Sequence, residues 1–160
     1  MKIDSSKHII HRAYLGLGSN LGDKEENIRR AIQMIGEQIG DVSRQSALYR
    51  SEPWGFSSDN TFVNAVILVE TTLTPHQLLR ATQRIERLLG KRPKHATQRS
   101  FLPNSSTPLL PNSSIYHDRP IDIDILLYDD LHIDTPRLKI PHPLMQERDF
   151  VMVPLREIQK

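Results

Sequence analysis

The sequence predicts an α+β fold in which an antiparallel sheet carries helices on one of its faces. Three observations favour this fold class. Strand-like and helix-like segments follow one another in the order β-α-β-β-α-β. The chain has 160 residues, which fits a single domain. Its composition, 38% hydrophobic and 25% charged, is that of a globular protein.

The first half of the chain supplies a strand, a helix and a second strand. Residues 9–18 read as a strand that ends in a Gly-Ser-Asn turn. A helix follows, because isoleucines recur at spacings of four, three and four residues, at Ile28, Ile32, Ile35 and Ile39. Residues 42–50 read as the second strand, and the Pro- and Ser-rich residues 51–60 read as a loop.

The second half completes the pattern. Residues 62–71, FVNAVILVET, form a strongly β-prone third strand. Thr74, followed by proline and by Gln77 three positions on, starts a helix that runs to Gly90. PIDIDILLYDD forms the fourth strand, and a proline-bounded helical segment closes the chain. This order predicts a ferredoxin-like sheet with a C-terminal helical addition.

Composition also predicts the domain organisation and the location. We expect residues 1–10 to be a tail and residues 11–160 to be one domain, with a flexible insert at about 100–114 that is rich in Ser, Pro and Asn. The longest apolar run is only five residues, which excludes a membrane span. The absence of cysteine excludes thiolate chemistry and fits a reducing cytoplasm, so we expect a soluble, cytoplasmic protein.

Positive charge is concentrated in residues 80–99, which hold seven Lys or Arg against one acid. That stretch carries +6, although the whole chain carries only +2. Such asymmetry favours an anionic partner, either a nucleic acid or a polyphosphate. A solvated basic helix face is the alternative interpretation.

Two aspartates on the fourth strand are the sharpest chemical signal. Side chains alternate along a strand, so Asp122 and Asp124 share one face, about 6.7 Å apart along the chain. Two such charges about 6 Å apart repel by roughly 2.8 kcal/mol at an effective dielectric near 20, a penalty that divalent cations remove. Carboxylates without thiolates or clustered histidines favour Mg²⁺. The alternative is a solvated acid pair on an edge strand, although the nearby cation Arg119 suits a site that also binds phosphate.

Three further motifs allow two interpretations each. GLGSNLGD looks like a phosphate loop but lacks the Walker pattern, so a tight turn with Ser19 or Asn20 near the helix N-cap is the alternative. Trp54, Phe62 and Asn64 have the chemistry to stack on and hydrogen-bond a flat heterocycle, or they are ordinary packing. His142, between two prolines, is either a functional residue or a hydrogen-bonded structural histidine.

Taken together, the motifs resemble one enzyme family. YLGLGSNLGD, SEPWG with FVNA, TQRIERLLG, RPIDIDILL and RLKIPHPLMQERDFVMVPLREI occur in family order over about residues 12–158. In this order they are similar to the 6-hydroxymethyl-7,8-dihydropterin pyrophosphokinases of folate biosynthesis. The resemblance implies transfer of the β,γ-diphosphate of ATP to the pterin hydroxymethyl group, with release of AMP.

The resemblance also implies roles for individual residues. Asp122 and Asp124 would hold two Mg²⁺ ions and, with Arg119, form the catalytic set. The residues implied around ATP are Gln83, Glu86, Lys91, Arg119, Arg137, Lys139, His142 and Arg148. Those implied around the pterin are Ser51, Glu52, Trp54, Phe62, Asn64, Tyr116 and Phe150.

The expected partners are therefore ATP, the pterin and, through function, neighbouring folate enzymes, with no nucleic acid and no membrane. Two rival functions are weighed against this one. An RNA-recognition domain shares the strand and helix order, but the third strand lacks the RNA-binding aromatic motif. A kinase that transfers only the γ-phosphate would release ADP instead of AMP.

Overall fold

The computed structural model describes residues 9–52, 61–90 and 119–159. The predicted insert at 100–114 lies outside the described residues, as do residues 1–8 of the predicted tail. The strands and helices follow in this order: β1 (His11–Ser19), α1 (Lys24–Gln38), β2 (Gly40–Gln45), β3 (Tyr49–Ser51), β4 (Phe62–Thr71), α2 (Pro75–Leu88), β5 (Asp122–Tyr128), β6 (Ile133–Asp134), β7 (Lys139–Ile140), a 3-10 turn (Met145–Glu147) and α3 (Asp149–Gln159).

The main sheet has the spatial order β2-β4-β1-β5, and every neighbouring pair is antiparallel. The short β3 continues the edge beside β4, while β6 and β7 form a separate hairpin. This arrangement confirms the predicted α+β, ferredoxin-like sheet. The central strands β4 and β1 lie between the other strands, which explains why nearly all of β4 is buried.

Both faces of the sheet are covered by helices. Helices α1 and α2 pack on one face over a core that includes Leu15, Ile35 and Ile85, all at 0% exposure. Helix α3 packs on the opposite face, where Leu155 and Met145 meet Leu68. The predicted C-terminal helical segment thus covers the second face of the sheet. Within the described residues, no helix is long and apolar enough to cross a membrane.

The two main helices begin differently from each other. Helix α2 has the predicted capping box, in which the Gln77 amide donates to the Thr74 hydroxyl and the Thr74 amide donates to the Gln77 side chain. The N-cap of α1 is Asp23, whose carboxylate accepts from the Glu26 amide at 3.2 Å. The expectation that Ser19 or Asn20 lies near this cap is therefore wrong. The chain continues beyond them through a turn at Gly22, which has a positive φ of 69°.

The predicted strand at 42–50 is interrupted at Ser46. The Ser46 amide donates to the Val66 carbonyl at 2.9 Å, and its hydroxyl accepts from the Val66 amide at 2.9 Å. The side chain thus takes the place of a backbone carbonyl in the ladder, which breaks the strand into β2 and β3. Helix α3 reaches the same break, because the Glu157 carboxylate accepts from the Ala47 amide.

Candidate active site

The site lies where three strands place functional side chains in one row. On β1, Gly18 pairs with Asn64 of β4 on one side and with Asp122 of β5 on the other. Two residues earlier, Gly16 pairs with Asp124. Because side chains alternate along a strand, the two aspartates and Asn64 face the same side of the sheet. The predicted same-face geometry of the aspartates is confirmed, with Ile123 buried on the other side.

The two glycines leave an open trough between these polar walls. A Cβ on Gly18 would lie 3.1 Å from Asn64 Oδ1, and one on Gly16 would contact the Leu126 side chain at 3.4 Å. The trough opens into a cleft of about 560 Å³ next to the start of α3. The cleft is lined by Gly16, Leu17, Gly18, Ser51, Glu52, Phe62, Asn64, Ala65, Arg119, Asp122, Asp124, Arg148, Phe150 and Val151. Nine of these residues are among those predicted from the sequence.

Asn64 is held in one orientation by β3. Its side-chain nitrogen donates to the Tyr49 carbonyl at 3.0 Å and to the Ser51 hydroxyl at 2.8 Å. Both hydrogens of the amide group are thereby directed to β3, and Oδ1 is directed to Gly18 at the floor of the cleft. Since Asn64 is 3% exposed, this is a buried and oriented hydrogen-bond acceptor.

Two arginines lie over the two phenylalanines of the cleft. The Arg119 guanidinium is 5.7 Å from the centre of the Phe62 ring, and the Arg148 guanidinium is 5.7 Å from the centre of the Phe150 ring. Each pair has the geometry of a cation–π contact. The cleft therefore combines aromatic surface with two positive charges, which suits a ligand that is flat at one end and anionic at the other.

The donor set of β5 fits magnesium. Asp122 and Asp124 are half-buried and both line the cleft. In the described parts of the chain, no group of three or more His, Cys, Asp or Glu could hold a metal ion. Two carboxylates, with the remaining positions left to water and substrate oxygens, are how Mg²⁺ is usually bound at phosphate-transferring sites.

Glu86 braces the strand that carries this pair. It is 6% exposed on α2, and its carboxylate accepts from the Ile123 amide at 3.2 Å. That amide lies between the two aspartates in the sequence. Helix α2 packs on the sheet face opposite to the aspartate side chains, and Glu86 reaches from it to the backbone of the edge strand β5.

His142 lies near both Arg148 and Asp122. Burial lowers the pKa of the His142 ring, the positive charge of Arg148 lowers it further, and Asp122 opposes them. The ring is therefore neutral at neutral pH. Its Nδ1 accepts from the Leu144 amide at 3.3 Å, so the remaining proton is on Nε2. His142 supplies a neutral N–H donor rather than a cation.

Like Glu86 and His142, three further predicted nucleotide ligands do not line this cleft. Gln83 and Arg137 are exposed and share a second cleft, of about 770 Å³, with His76, Leu79 and Arg80. Lys139 is exposed on β7 and forms an ion pair with Asp134 at 2.9 Å. Three other predicted residues lie outside the described residues, namely Trp54, Lys91 and Tyr116.

Sequence reasoning missed the floor of the cleft. The motif GLGSNLGD predicts a turn or a phosphate loop and does not by itself assign its glycines to the site. The signal was present, because Gly16 and Gly18 are two residues apart on a strand whose alternate positions, Leu15 and Leu17, are apolar. Such a pair marks a strand face on which side chains are excluded.

Comparison with known proteins points to one family. Residues 14–160 match the family described as 7,8-dihydro-6-hydroxymethylpterin-pyrophosphokinase. The chain is 42% identical over 146 residues to a 2-amino-4-hydroxy-6-hydroxymethyldihydropteridine pyrophosphokinase of Porphyromonas gingivalis, with coverage of 91% of this chain and 88% of that protein. It is 36% identical over 146 residues to the protein of the same name in Aquifex aeolicus, covering 91% and 79% of the two chains.

Longer proteins contain a similar region. The chain is 37% identical over 145 residues to a folic acid synthesis protein of Dictyostelium discoideum, of which it covers 19%. Among solved structures, wild-type Plasmodium falciparum HPPK-DHPS with pteroate superimposes with a TM-score of 0.64 at 15% identity, over 95% of this chain. The chain spans 39% of that structure's chain, and the likeness shows a shared fold.

Proposed function

Because the chain belongs to the 7,8-dihydro-6-hydroxymethylpterin-pyrophosphokinase family, it is a diphosphate-transferring enzyme of folate biosynthesis, and we propose that the trough on β1 is its active site. In this reaction the β,γ-diphosphate of ATP passes to the hydroxymethyl group of the dihydropterin, and AMP is released. The observation that carries the proposal is the row formed by Asn64, Gly18 and Asp122, which joins a heterocycle-binding wall to a phosphate-binding wall.

The pterin end of the site is the wall formed by β3, β4 and the start of α3. Phe62 and Phe150 provide the aromatic surface, and the oriented Asn64 Oδ1 accepts a hydrogen bond from a ring N–H. Ser51 holds Asn64, and Glu52 lies at the exposed rim. Trp54 and Tyr116 are proposed as further pterin ligands on sequence alone.

The phosphate end of the site is the wall formed by β5 and the residues before α3. Asp122 and Asp124 would hold two Mg²⁺ ions, which when bound neutralise phosphate charge and orient the triphosphate. Arg119 and Arg148 donate to phosphate oxygens, and neutral His142 donates one further hydrogen bond through Nε2. Glu86 keeps β5 in place behind them. Lys91, Gln83, Arg137 and Lys139 are proposed nucleotide ligands that rest on the resemblance.

This arrangement promotes transfer by positioning and electrostatics. The hydroxymethyl oxygen forms a bond to the β-phosphorus while the bond from that phosphorus to the bridging oxygen of AMP breaks. The pterin wall holds the attacking oxygen in line, and the two arginines stabilise the charge that grows on the phosphoryl oxygens. The glycines keep the path between the two walls free of side chains.

The identity of the nucleotide product tests the proposal. Purified protein is incubated with ATP, Mg²⁺ and 6-hydroxymethyl-7,8-dihydropterin, and the nucleotides are separated by chromatography. We expect AMP in equal amount to the pterin diphosphate, and no AMP when the divalent ion is chelated. ADP as the main product would contradict the proposal and favour a γ-phosphate kinase.

Coupling to other enzymes of folate synthesis is a further part of the proposal. It is supported by relatives such as the Dictyostelium discoideum folic acid synthesis protein, in which a similar region is part of a longer chain. A cytoplasmic location remains a prediction of the cysteine-free composition.

A further inference from the structure

Asn20, in the turn after β1, forms hydrogen bonds with both the backbone amide and the backbone carbonyl of Arg119. The Arg119 amide donates to Asn20 Oδ1 at 2.6 Å, and the Asn20 amide donates to the Arg119 carbonyl at 3.1 Å. Asn20 is 0% exposed, so neither bond competes with water. The two residues are 99 positions apart in the sequence.

These two bonds fix the backbone that presents the Arg119 side chain. Because its N–H and C=O are both hydrogen-bonded, the Arg119 backbone is restrained at the point from which the side chain starts. Its guanidinium lies over Phe62, and its Nε is buried within the described structure without a hydrogen-bond partner. Arg119 thus lines the cleft from a restrained backbone, and its Nε is a donor that has no partner among the described residues.

We propose that Asn20 is a positioning residue that aims Arg119 at the transferred phosphoryl group. The inference rests on the proposed function, since it concerns the same reaction, but Asn20 itself does not line the cleft. Asparagine is suited to this task. Its side-chain Oδ1 accepts from the Arg119 amide, while the Asn20 backbone N–H donates to the Arg119 carbonyl. Displacing a positioned group by about 1 Å can lower a rate by about 10²-fold.

The same turn offers a matched control in Asn27. Its side chain donates to the Ser19 hydroxyl at 3.3 Å and to the Leu21 carbonyl at 2.8 Å, so it braces the turn without contacting Arg119. Asn27→Ala removes two hydrogen bonds from this turn, and Asn20→Ala removes the hydrogen bond between Asn20 Oδ1 and the Arg119 amide. A variant that merely loosens the turn should therefore behave like Asn27→Ala.

Steady-state kinetics of AMP formation provide the first test. For Asn20→Ala we expect kcat to fall at least about tenfold while KM for the pterin changes less than about threefold, because the loss is confined to the transition state. Asn27→Ala should keep kcat within about twofold. Asn20→Asp, which retains Oδ1, should have a higher kcat than Asn20→Ala and serves as the test variant if the alanine protein does not fold.

A double-mutant cycle distinguishes action through Arg119 from a separate effect. In an Arg119→Ala background, Asn20→Ala should lower kcat by less than about twofold, since the group that it positions is gone. An equal loss in both backgrounds would overturn the proposal. So would normal kcat in Asn20→Ala.

Amide hydrogen exchange adds a readout that does not depend on activity. Asn20→Ala should speed exchange of the Arg119 amide at least about tenfold, and Asn27→Ala should not. Unchanged exchange in Asn20→Ala would overturn the inference. A wild-type protein that makes no AMP contradicts the proposed function, whereas an active wild-type protein with normal turnover in Asn20→Ala contradicts only the role of Asn20.

Discussion

At the scale of single residues, the absence of a side chain at Gly18 is as important to the site as the side chains around it. The position is buried in β1, and its ideal Cβ would lie 3.1 Å from Asn64 Oδ1 and 3.6 Å from the Phe62 ring. The acceptor and the aromatic surface proposed for the pterin both depend on this space. A glycine here is required by close approach rather than by backbone conformation.

We therefore expect Gly18→Ala to weaken pterin binding. The added methyl group displaces Asn64 Oδ1 or narrows the trough, and a lost or distorted buried hydrogen bond costs about 1–3 kcal/mol, which raises the Kd for the pterin by about fivefold to about 150-fold. Calorimetric titration with the pterin measures this change in Kd. Gly36→Ala is the control, because nothing lies within 4 Å of its Cβ and a helical Gly→Ala change is neutral or stabilising. Equal pterin affinity in the two variants would contradict the argument.

The charge of the aspartate pair makes a separate prediction. Asp122→Asn or Asp124→Asn keeps the shape of the side chain but removes the charge that would bind Mg²⁺, so kcat should fall by at least about 10³-fold. The melting temperature should be maintained, because removing like-charge repulsion does not destabilise the strand. Asp41→Asn, an exposed acid on β2 of the same sheet, should leave AMP formation unchanged. Normal turnover in both site variants would refute the role of the pair.

How well a site residue could be predicted depends on how local its signal is. The face shared by Asp122 and Asp124 follows from strand alternation within three positions, and the structure confirms it. Asn20 could not be assigned, because its partner Arg119 is 99 positions away and only the tertiary structure brings the two together. The assignment of Lys139 to ATP stays a prediction of the resemblance, and in the structure its side chain forms an ion pair with Asp134 on an exposed hairpin.

At the scale of elements, the break between β2 and β3 shows why the predicted strand at 42–50 was too long. Its residues are compatible with a continuous strand, but the hydroxyl of Ser46 replaces a backbone acceptor opposite Val66. Strand propensity does not predict this hydrogen bond, because the bond depends on which residue lies opposite on β4. The other boundaries, at α2 and β4, were predictable from a capping box and from a continuous apolar run.

Ser46→Ala should therefore destabilise the protein. It leaves the amide of Val66, which is 0% exposed, without its acceptor, and an unsatisfied buried donor costs about 1–3 kcal/mol. Ser43→Ala is the matched control on the same edge, since Ser43 is exposed and its hydroxyl bond to Leu68 is long, at 3.4 Å. Urea unfolding followed by circular dichroism measures both. A similar midpoint for the two variants would argue against the role of the hydroxyl in the ladder.

The junction between the start of β1 and the end of β5 makes a prediction about acid stability. Burial raises the pKa of the Asp129 carboxyl, but the Arg12 amide, the bonded His11 ring and the positive charges of both residues together outweigh it and lower the pKa. His11 Nδ1 lies 2.6 Å from the carboxylate. A lowered pKa in the folded state stabilises the fold above the ordinary carboxyl range, and the contribution is lost as pH falls through the folded pKa.

Asp129→Asn should thus lower the melting temperature near pH 6 and have little effect near pH 2, with the difference closing between about pH 5 and pH 2. Asparagine suits the site, because it tolerates the positive φ of 45° that Asp129 adopts. The exposed neighbour Asp130, changed to asparagine, controls for net charge. A melting-temperature difference that stays constant across this range would contradict the prediction.

At the scale of the whole molecule, the three helices divide the sheet between stability and function. Helices α1 and α2 pack on one face, while α3 packs on the other face and leaves the trough open beside it. Helix α3 also contributes Phe150 and Val151 to the cleft. The apolar cluster between α3 and the sheet, which includes Leu68, Met145 and Leu155 and is called the second core, is therefore connected to the pterin wall.

Leu155→Ala tests this coupling. The side chain is 1% exposed in the second core, so its truncation should cost about 2–5 kcal/mol of unfolding free energy. Pterin affinity should fall as well, since the helix that carries Phe150 is no longer anchored. Val153→Ala on the exposed side of α3 should change neither measurement appreciably. A stability loss with unchanged pterin affinity would show that α3 is anchored for function by other contacts.

The ladder that joins Asn64, Gly18 and Asp122 fixes the distance between the pterin wall and the phosphate wall. Paired residues on neighbouring antiparallel strands have Cα atoms about 4.5–5.5 Å apart, so the two outer backbones are separated by about 10 Å. Hydrogen bonds of the central sheet set this spacing, and neither loop movement nor side-chain rotation changes it. The reach from a bound ring to the atom under attack is then dictated by the backbone. We expect compounds in which the ring and the anionic group are separated by a different distance to contact only one of the two walls.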